Sequence, residues 1–138
     1  MYLFFDTETT GLPKNWKAPV TDLTNWPRMV QLAYLLYDKN GNKISEGDHI
    51  IKPEGFSIPT SSSQIHGISN EIAKRDGKAI LTVLEEFQSL IDQSKYLVAH
   101  NMSFDEKIVG AEFLRNKMKN SVTNKSKIDF PIKNGNDI

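Results

Sequence analysis

Two acidic residues follow directly on an apolar run near the start of the chain. Asp6 and Glu8 come after Phe4 and Phe5 in the stretch FFDTETTG. Residues two apart on a strand point to the same side of it, so these carboxylates share a face. Negative charge beside a covered strand is costly unless a cation balances it. The pattern therefore predicts a cation site at this strand end, with a polar, solvated strand end as the alternative.

A third acid, Asp105, falls in the first turn of a predicted helix that follows another short apolar strand. If the two strands are parallel neighbours, Asp105 meets Asp6 and Glu8 at their carboxyl ends, where open α/β sheets bind ligands. Clustered carboxylates raise one another's pKa values unless cations neutralise them. Oxygen ligands favour Mg²⁺ or Mn²⁺, and two such ions about 3.5 to 4 Å apart can drive phosphodiester cleavage. Taken alone, Asp105 is better interpreted as an ordinary acid that is favourably placed at a helix N-terminus.

The elements that must position these acids follow from the apolar patterning. Strands are predicted over Tyr2–Phe5, Met29–Tyr37, Lys43–Lys52 and Tyr96–Ala99, with a hairpin turn at Asp38–Asn42. Helices are predicted from near Ser69 to Gly77, across Ala79–Asp92, and from a capping box at Ser103 to about Lys119. Loops are predicted at Gly11–Pro27 and Pro53–Gln64. The expected class is α/β, with strands one to three antiparallel, a parallel fourth strand and packed helices.

The composition sets limits on the class of protein. The 138 residues amount to one domain, and 17 basic residues balance 17 acidic ones, so no net charge indicates a nucleic-acid or membrane partner or excludes one. The chain has no cysteine, which excludes disulfides, thiolate zinc sites and cysteine nucleophiles and fits a cytoplasmic protein. The first apolar run is too short for a signal peptide, and no later run predicts a membrane span.

Three segments together resemble a known family. DTETTG (Asp6–Gly11), IHGIS (Ile65–Ser69) and AHNMSFD (Ala99–Asp105) are similar to the first two motifs, and the segment between them, of the DEDD family of 3′–5′ exonucleases. Within that family the likeness is greatest to proofreading epsilon subunits of bacterial DNA polymerase III, with RNase T and oligoribonuclease more distant. It runs from about Tyr2 to Arg115. Asp-x-Glu alone is common, whereas the combination of motifs is specific.

The resemblance implies a fold, a chemistry and a set of residues. The fold is RNase H-like, a five-stranded mixed sheet with helices on both faces, and the chemistry is hydrolysis with two Mg²⁺ or Mn²⁺ ions. Asp6, Glu8 and Asp105 resemble three of the family's four catalytic, metal-binding acids. The residues similar to a seat for the terminal nucleotide and its supports are Thr7, Thr9, Thr10, Gly11, His66, Asn101 and Phe104. His66 equally suits a cap for the next helix, and His100 is expected beside the site but not in it.

The sequence departs from the family after Asp105. The third family motif places a His or Tyr a few residues before a fourth Asp on a late helix, and neither His nor Tyr follows Asp105. Glu112 is two helical turns further on, roughly 10 Å along the axis, too far to join the same ions. We therefore expect one exonuclease domain over 1–138 that is C-terminally incomplete and hydrolyses little. Its last strand and helix are expected to be missing, and residues 120–138 to be irregular or disordered.

Three functions remain open from the sequence. The favoured one is an exonuclease domain that acts on single-stranded DNA 3′ ends, with a DNA polymerase as a partner and without a membrane. The second is the same chemistry on RNA, since nothing in the sequence places a contact to the 2′-hydroxyl. The third is a catalytically silent module that binds nucleic-acid ends or a polymerase.

Two further features have two interpretations each. Trp16 and Trp26 are expected either to stack on unpaired bases or to fix the long loop, and the second is slightly favoured. A basic stretch is expected either to meet phosphates or to form a solvated helix end, which is the commoner case. Its members are Arg115, Lys117, Lys119, Lys125 and Lys127.

Overall fold

The chain begins with three strands and then alternates helices with two further strands. Residues 1–130 are described in this computed structural model. The strands are β1 (Tyr2–Thr9), β2 (Met29–Tyr37), β3 (Lys43–Ile50), β4 (Tyr96–Ala99) and β5 (Ser126–Asp129). The helices are α1 (Thr60–His66), α2 (Asn70–Asp76), α3 (Ile80–Gln93) and α4 (Met102–Arg115). Within residues 1–130, no helix is long and apolar enough to cross a bilayer.

The strands form one mixed sheet in the order β3-β2-β1-β4-β5. β1 and β3 pair antiparallel with β2, whereas β4 pairs parallel with β1 and β5 parallel with β4. The predicted α/β class and strand directions are confirmed. Because β1, β4 and β5 run the same way, their carboxyl ends lie at the same edge of the sheet.

β5 corrects an expectation, because the last strand is present. Ser126 pairs with Tyr96 and Asp129 with Ala99 of β4. The strand has the polar sequence SKID and only one neighbour in the sheet, so it carries none of the apolar patterning that marks a covered strand. The segment expected to be irregular therefore includes a strand. Residues 131–138, the rest of the segment expected to be irregular, lie outside the described residues.

The core that supports β1 lies between one face of the sheet and the helices α3 and α4. Leu3 and Phe5 of β1 are buried in it, and the Phe5 ring packs edge-on against Phe87 of α3 with 5.3 Å between centroids. Four apolar side chains of α3 are buried, namely Val83, Leu84, Phe87 and Ile91. Each such side chain stabilises the fold by about 1.5 to 3 kcal/mol. This packing fixes the central strand that carries the acids.

Two helix boundaries differ from the prediction. α1 lies in a segment that was predicted to be a loop, since its sequence TSSSQ has no apolar stripe. The helix follows Pro59 and ends at Gly67, whose φ of 77° is left-handed. α4 begins at Met102 and ends at Arg115, so it starts before the expected capping box and stops before Lys119. α2 begins as predicted after Ser69, whose hydroxyl accepts a hydrogen bond from the Ile72 N–H at 3.1 Å.

Candidate functional site

The carboxyl end of β1 presents Asp6 and Glu8 on the face opposite Thr7. Asp6 is exposed, Glu8 is half-buried, and Thr7 is buried on the side of the helices. The register with β2 shifts between Glu8, which pairs with Gln31, and Thr9. Such an irregularity bends a strand and changes the direction of the side chains beyond it. The acids thus stand where β1 leaves the regular sheet.

Asp105 reaches β1 from the first turn of α4. Its Oδ1 accepts hydrogen bonds from the Thr7 hydroxyl at 2.6 Å and from the Thr7 backbone N–H at 3.3 Å, across 98 residues of sequence. The Asp105 side chain is buried, with the residue 3 % exposed. These bonds place Asp105 at the same end of β1 as Asp6 and Glu8, on the side of the strand that Thr7 faces.

Burial and mutual repulsion disfavour the charged forms of these acids. Burial, reinforced by the charge of Asp6, raises the pKa of Asp105 to about 6, although hydrogen bonds from Thr7 and the Asn101 backbone oppose the rise. Burial and then the Asp6 charge raise the pKa of Glu8, which His66 partly offsets. Burial also raises the pKa of Asp6, against the lowering effect of His100 and a Thr7 backbone hydrogen bond. A nearby cation would reverse all three effects.

The donors at this end of β1 suit a hard divalent ion. Within residues 1–130, no three His, Asp or Glu side chains already form an arrangement able to hold a metal ion, and Asp105 Oδ1 faces Thr7 instead. The donor chemistry nevertheless fits, since carboxylate oxygens are the ligands of Mg²⁺ and Mn²⁺. A cation would also offset the repulsion that raises the pKa values of Glu8 and Asp105. Asp6, Glu8 and Asp105 are therefore the residues that could hold such an ion.

The N-terminus of α4 is fixed by a residue from β5. Asp129 Oδ1 accepts a hydrogen bond from the Met102 N–H at 2.8 Å, and the Asn101 side chain makes no cap bond. The predicted capping box is therefore wrong, since the Ser103 hydroxyl donates to Asn101 Oδ1 instead. The Asn101 carbonyl accepts from the N–H groups of Phe104 and Asp105, both at 3.0 Å. Sequence patterns gave no signal for the contribution of Asp129, which depends on the position of an edge strand.

The turn after β1 is held by its own threonines. The Thr9 hydroxyl donates to the Gly11 carbonyl at 2.7 Å, and Thr10 Oγ1 accepts from the Arg28 N–H at 3.0 Å. Gly11 has a φ of 155°, which side-chain-bearing residues rarely adopt, and a Cβ there would meet no atom within 4 Å. The backbone conformation thus explains the glycine, and open space remains beside the turn.

His66 and α1 border the same turn. The His66 Nδ1 accepts the Ile68 N–H at 3.1 Å, which leaves a proton on Nε2 to donate to the Thr9 carbonyl at 3.2 Å. The Ser62 hydroxyl of α1 donates to the Thr10 carbonyl at 2.7 Å. His66 therefore both closes the loop after α1 and contacts the end of β1, so its two expected roles coincide. The missed helix α1 forms one wall of the site.

Large apolar side chains are exposed in the segments next to the acids. Leu12, directly after Gly11, is 73 % exposed, and Ile65, directly before His66, is 84 % exposed. Trp16 is 49 % exposed, and its ring lies 5.5 Å from that of Phe104. Sequence reasoning singled out neither Leu12 nor Ile65. One signal could have identified them: each is an apolar residue next to a motif, in a segment that has no apolar periodicity.

An open groove lies on the sheet face that bears Asp6. It has a volume of about 470 Å³, and its lining includes Phe4, Asp6, Val98, His100 and Phe130. The rings of Phe4 and Phe130 pack edge to face with 6.0 Å between centroids. His100, as expected, stands beside the acids, because its charge lowers the pKa of Asp6.

Glu112 has a structural position away from the site. It is fully buried, accepts hydrogen bonds from Arg28 Nε at 3.1 Å and the Met29 N–H at 2.9 Å, and forms an ion pair with Arg115 at 3.2 Å. Arg115 also donates to the carbonyls of Leu23 and Trp26, both at 2.7 Å. These contacts tie α4 to the chain entering β2.

Most of the basic stretch is likewise occupied by contacts within the domain. Lys125 Nζ donates to the Ser94 carbonyl at 2.8 Å, and Lys127 lies 3.6 Å from Glu106. Arg115 is held as described above. The stretch therefore forms no continuous surface of free cations. This argues against the interpretation that the stretch contacts phosphates.

The order of strands and the position of the acids define an RNase H-like α/β domain. The chain belongs to the exonuclease family, because the RNase T exonuclease family model matches residues 3–131. The resemblance to exonucleases that the motifs predicted is thus confirmed.

Two relatives with this likeness are large polymerases. The chain is 36 % identical over 117 residues to the PolC-type DNA polymerase III of Streptococcus agalactiae, and 34 % identical over 115 residues to that of Lactococcus lactis. The matches cover 85 % and 83 % of this chain, but 7 % and 6 % of the polymerases. The chain therefore spans a small part of these curated relatives.

Solved structures of E. coli exonuclease I share the fold. The complex of that protein with a dT13 oligonucleotide superposes with a TM-score of 0.75 and 23 % identity, covering 93 % of this chain and 27 % of that chain. Its product-bound structure gives a TM-score of 0.74 over the same share of this chain. The likeness confirms the predicted RNase H-like fold.

Proposed function

We propose that this domain removes nucleotides from the 3′ ends of single-stranded DNA by hydrolysis. The observation that supports the proposal is that Asp105 of α4 is held at the end of β1 that bears Asp6 and Glu8, through hydrogen bonds from the hydroxyl and N–H of Thr7. Membership of the exonuclease family supports the reaction. DNA is favoured over RNA because the similar polymerases are DNA polymerases and the similar exonuclease I was crystallised with a DNA oligonucleotide.

The three acids would hold two Mg²⁺ or Mn²⁺ ions. When bound, such ions activate water and stabilise the leaving oxygen of a phosphodiester. Thr7 orients Asp105 through its hydroxyl and N–H, and the burial of Asp105 reduces the screening of its charge by bulk water. Asp129 fixes the helix turn that carries Asp105. The chain would thus supply carboxylates that β1 and α4 place at one end of the sheet.

The terminal nucleotide would bind where the turn after β1 faces α1. The residues proposed to bind or support it are Thr7, Thr9, Thr10, Gly11, His66, Asn101 and Phe104. Open space beside Gly11 supports this placement, as does the contact of His66 with the Thr9 carbonyl. The exposed side chains of Leu12 and Ile65 would offer apolar contacts to the base. A DNA polymerase partner and a cytoplasmic location remain predictions, supported by the likeness to PolC-type polymerases.

A nuclease assay with labelled single strands tests the proposal. DNA and RNA oligonucleotides labelled at the 5′ end would be incubated with the protein and Mn²⁺, and binding would be measured in parallel. We expect slow release of mononucleotides from the DNA 3′ end, because no His or Tyr of the third family motif follows Asp105, and we expect Asp6→Ala to abolish the release. Asp76→Asn is the matched control, because Asp76 is an exposed acid at the end of α2 that pairs with Arg75.

Each other outcome identifies a different function. Metal-dependent DNA binding without release would identify the catalytically silent module. Faster release from RNA would identify the RNA-trimming alternative. Release that survives Asp6→Ala would show that the assigned acids do not carry the reaction.

A further inference from the structure

The loop between β1 and β2 holds an exposed tryptophan beside the acids. Trp16 stands in the sequence Lys14-Asn15-Trp16-Lys17, and its ring centroid lies 5.5 Å from that of Phe104, with 45° between the ring planes. Phe104 directly precedes Asp105 in the first turn of α4. The indole therefore packs against Phe104, a side chain of the same helical turn that carries Asp105.

The backbone on both sides of Trp16 is fixed. The Asn15 N–H donates to Asn25 Oδ1 at 2.7 Å, and Asn25 Nδ2 donates back to the Asn15 carbonyl at 3.0 Å. The Lys17 N–H donates to Asn15 Oδ1 at 2.9 Å. A side chain held on a fixed backbone loses less conformational freedom when it binds a ligand. Trp16 is thus preorganised.

The two tryptophans of the loop divide the roles expected for them. Trp26 is 2 % exposed, and its Nε1 donates to the Pro19 carbonyl at 2.9 Å, so it fixes the loop. Trp16 remains about half exposed, although it contacts Phe104. Trp26 and the Asn15–Asn25 pair therefore fix the loop. The exposed part of the Trp16 ring does not contribute to this.

Two lysines flank the exposed ring. Lys14 and Lys17 are exposed, and neither forms an ion pair with any acid among residues 1–130. Single-stranded nucleic acids bind to surfaces that alternate aromatic rings with cations, because bases stack on the rings and phosphates meet the charges. The basic stretch near the end of α4, by contrast, is largely occupied by internal contacts.

We propose that Trp16, with Lys14 and Lys17, forms a second nucleotide subsite, which stacks a base upstream of the 3′-terminal nucleotide of a DNA single strand. The inference rests on the proposed function, since it takes the acids as the place of the terminal nucleotide. A base can stack on the indole only when its own strand is locally unstacked and unpaired. The subsite therefore selects a single strand longer than one nucleotide.

Binding measurements separate this subsite from the terminal one. Affinities would be measured in Mn²⁺ for dTMP and for dT8 with phosphorothioate linkages that resist cleavage. We expect Trp16→Ala to weaken dT8 binding about tenfold, as loss of one base stack predicts, and to leave dTMP binding unchanged. Trp16→Phe should restore most of the loss. Leu81→Ala is the matched control, because Leu81 is 47 % exposed on α3.

A second variant keeps the test independent of the tryptophan's effect on folding. Lys14→Gln combined with Lys17→Gln should reduce the dependence of log Kd on log salt by about 1.4, since each phosphate contact of a single strand contributes about 0.7. Equal dT8 affinities of wild type, Trp16→Ala and the lysine variant, with dTMP still bound, would overturn the subsite and leave the proposed function intact. Failure of the wild type to bind either ligand would instead overturn the proposed function.

Discussion

Replacing Asp105 by asparagine should stabilise the metal-free domain while removing its activity. Burial raises the pKa of Asp105 from its ordinary value of 3.8 to about 6, so the charged form is disfavoured in the folded state. At 1.36 kcal/mol per pKa unit, this rise corresponds to a cost of about 3 kcal/mol at neutral pH. The amide carries no charge, and its Oδ1 keeps both acceptor positions toward Thr7. Allowing for weaker hydrogen bonds, we expect a gain in unfolding free energy of about 2 kcal/mol.

The sign of the pH dependence follows from the raised pKa. In the folded state Asp105 stays protonated up to about pH 6, whereas in the unfolded chain it ionises near its ordinary value of 3.8. This residue therefore lowers wild-type stability as pH rises through that interval, and the loss is complete above it. The advantage of Asp105→Asn should be greatest at pH 8 and should vanish near pH 3.

Urea denaturation in EDTA at pH 8 and pH 5, followed by tryptophan fluorescence, would measure the effect. Asp129→Asn is the control: it removes a charge at the α4 N-terminus without a comparable burial cost, and should destabilise by about 0.5 kcal/mol. Added Mn²⁺ should stabilise the wild type more than Asp105→Asn, because only the wild type keeps all three carboxylates proposed to hold the ion. If Asp105→Asn is less stable than wild type at pH 8 in EDTA, the reasoning about desolvation is wrong.

Two further substitutions test contacts that stabilise the fold. Glu112→Ala should lower the unfolding free energy by about 3 to 5 kcal/mol, because it leaves the charges of Arg28 and Arg115 without their buried partner. Urea denaturation would measure this change, and a loss below 1 kcal/mol would contradict the buried ion network. Gly47→Ala should cost about 1 to 3 kcal/mol, because the new Cβ would lie 2.3 Å from the Tyr34 ring; thermal unfolding would measure it, with Gly41→Ala, where φ is 84° and no atom lies within 4 Å, as a control for backbone strain alone.

Elements with a strong local pattern were predictable from the sequence. The β2–β3 hairpin follows from two strand-like runs around a turn-rich cluster, and α3 follows from apolar residues at helical spacing, which the structure buries. β5 and α1 were not predictable, because a short polar segment becomes a strand or a helix only through its neighbours. Their polar residues make contacts that no local pattern encodes.

The same distinction applies to the site. The placement of Asp6 and Glu8 on one face of β1 follows from strand periodicity, and the position of Asp105 at the same end of β1 follows from the parallel pairing of β1 with β4. Thr7 faces away from Asp6 and Glu8. The sequence did not reveal that its hydroxyl hydrogen-bonds Asp105. That bond depends on where α4 docks, as does the cap from Asp129. Long-range register, and not residue type, determines both contacts.

The cap that Asp129 provides for α4 has a consequence for the order of assembly during synthesis. Met102 emerges from the ribosome 27 residues before the residue that satisfies its N–H. β4 likewise has two parallel neighbours in the folded sheet, β1 before it in the chain and β5 after it. A nascent chain that ends before Asp129 therefore has an unfinished first turn in α4. The first turn of α4, which carries Asp105, therefore gains its last hydrogen-bond partner only after most of the domain has been translated.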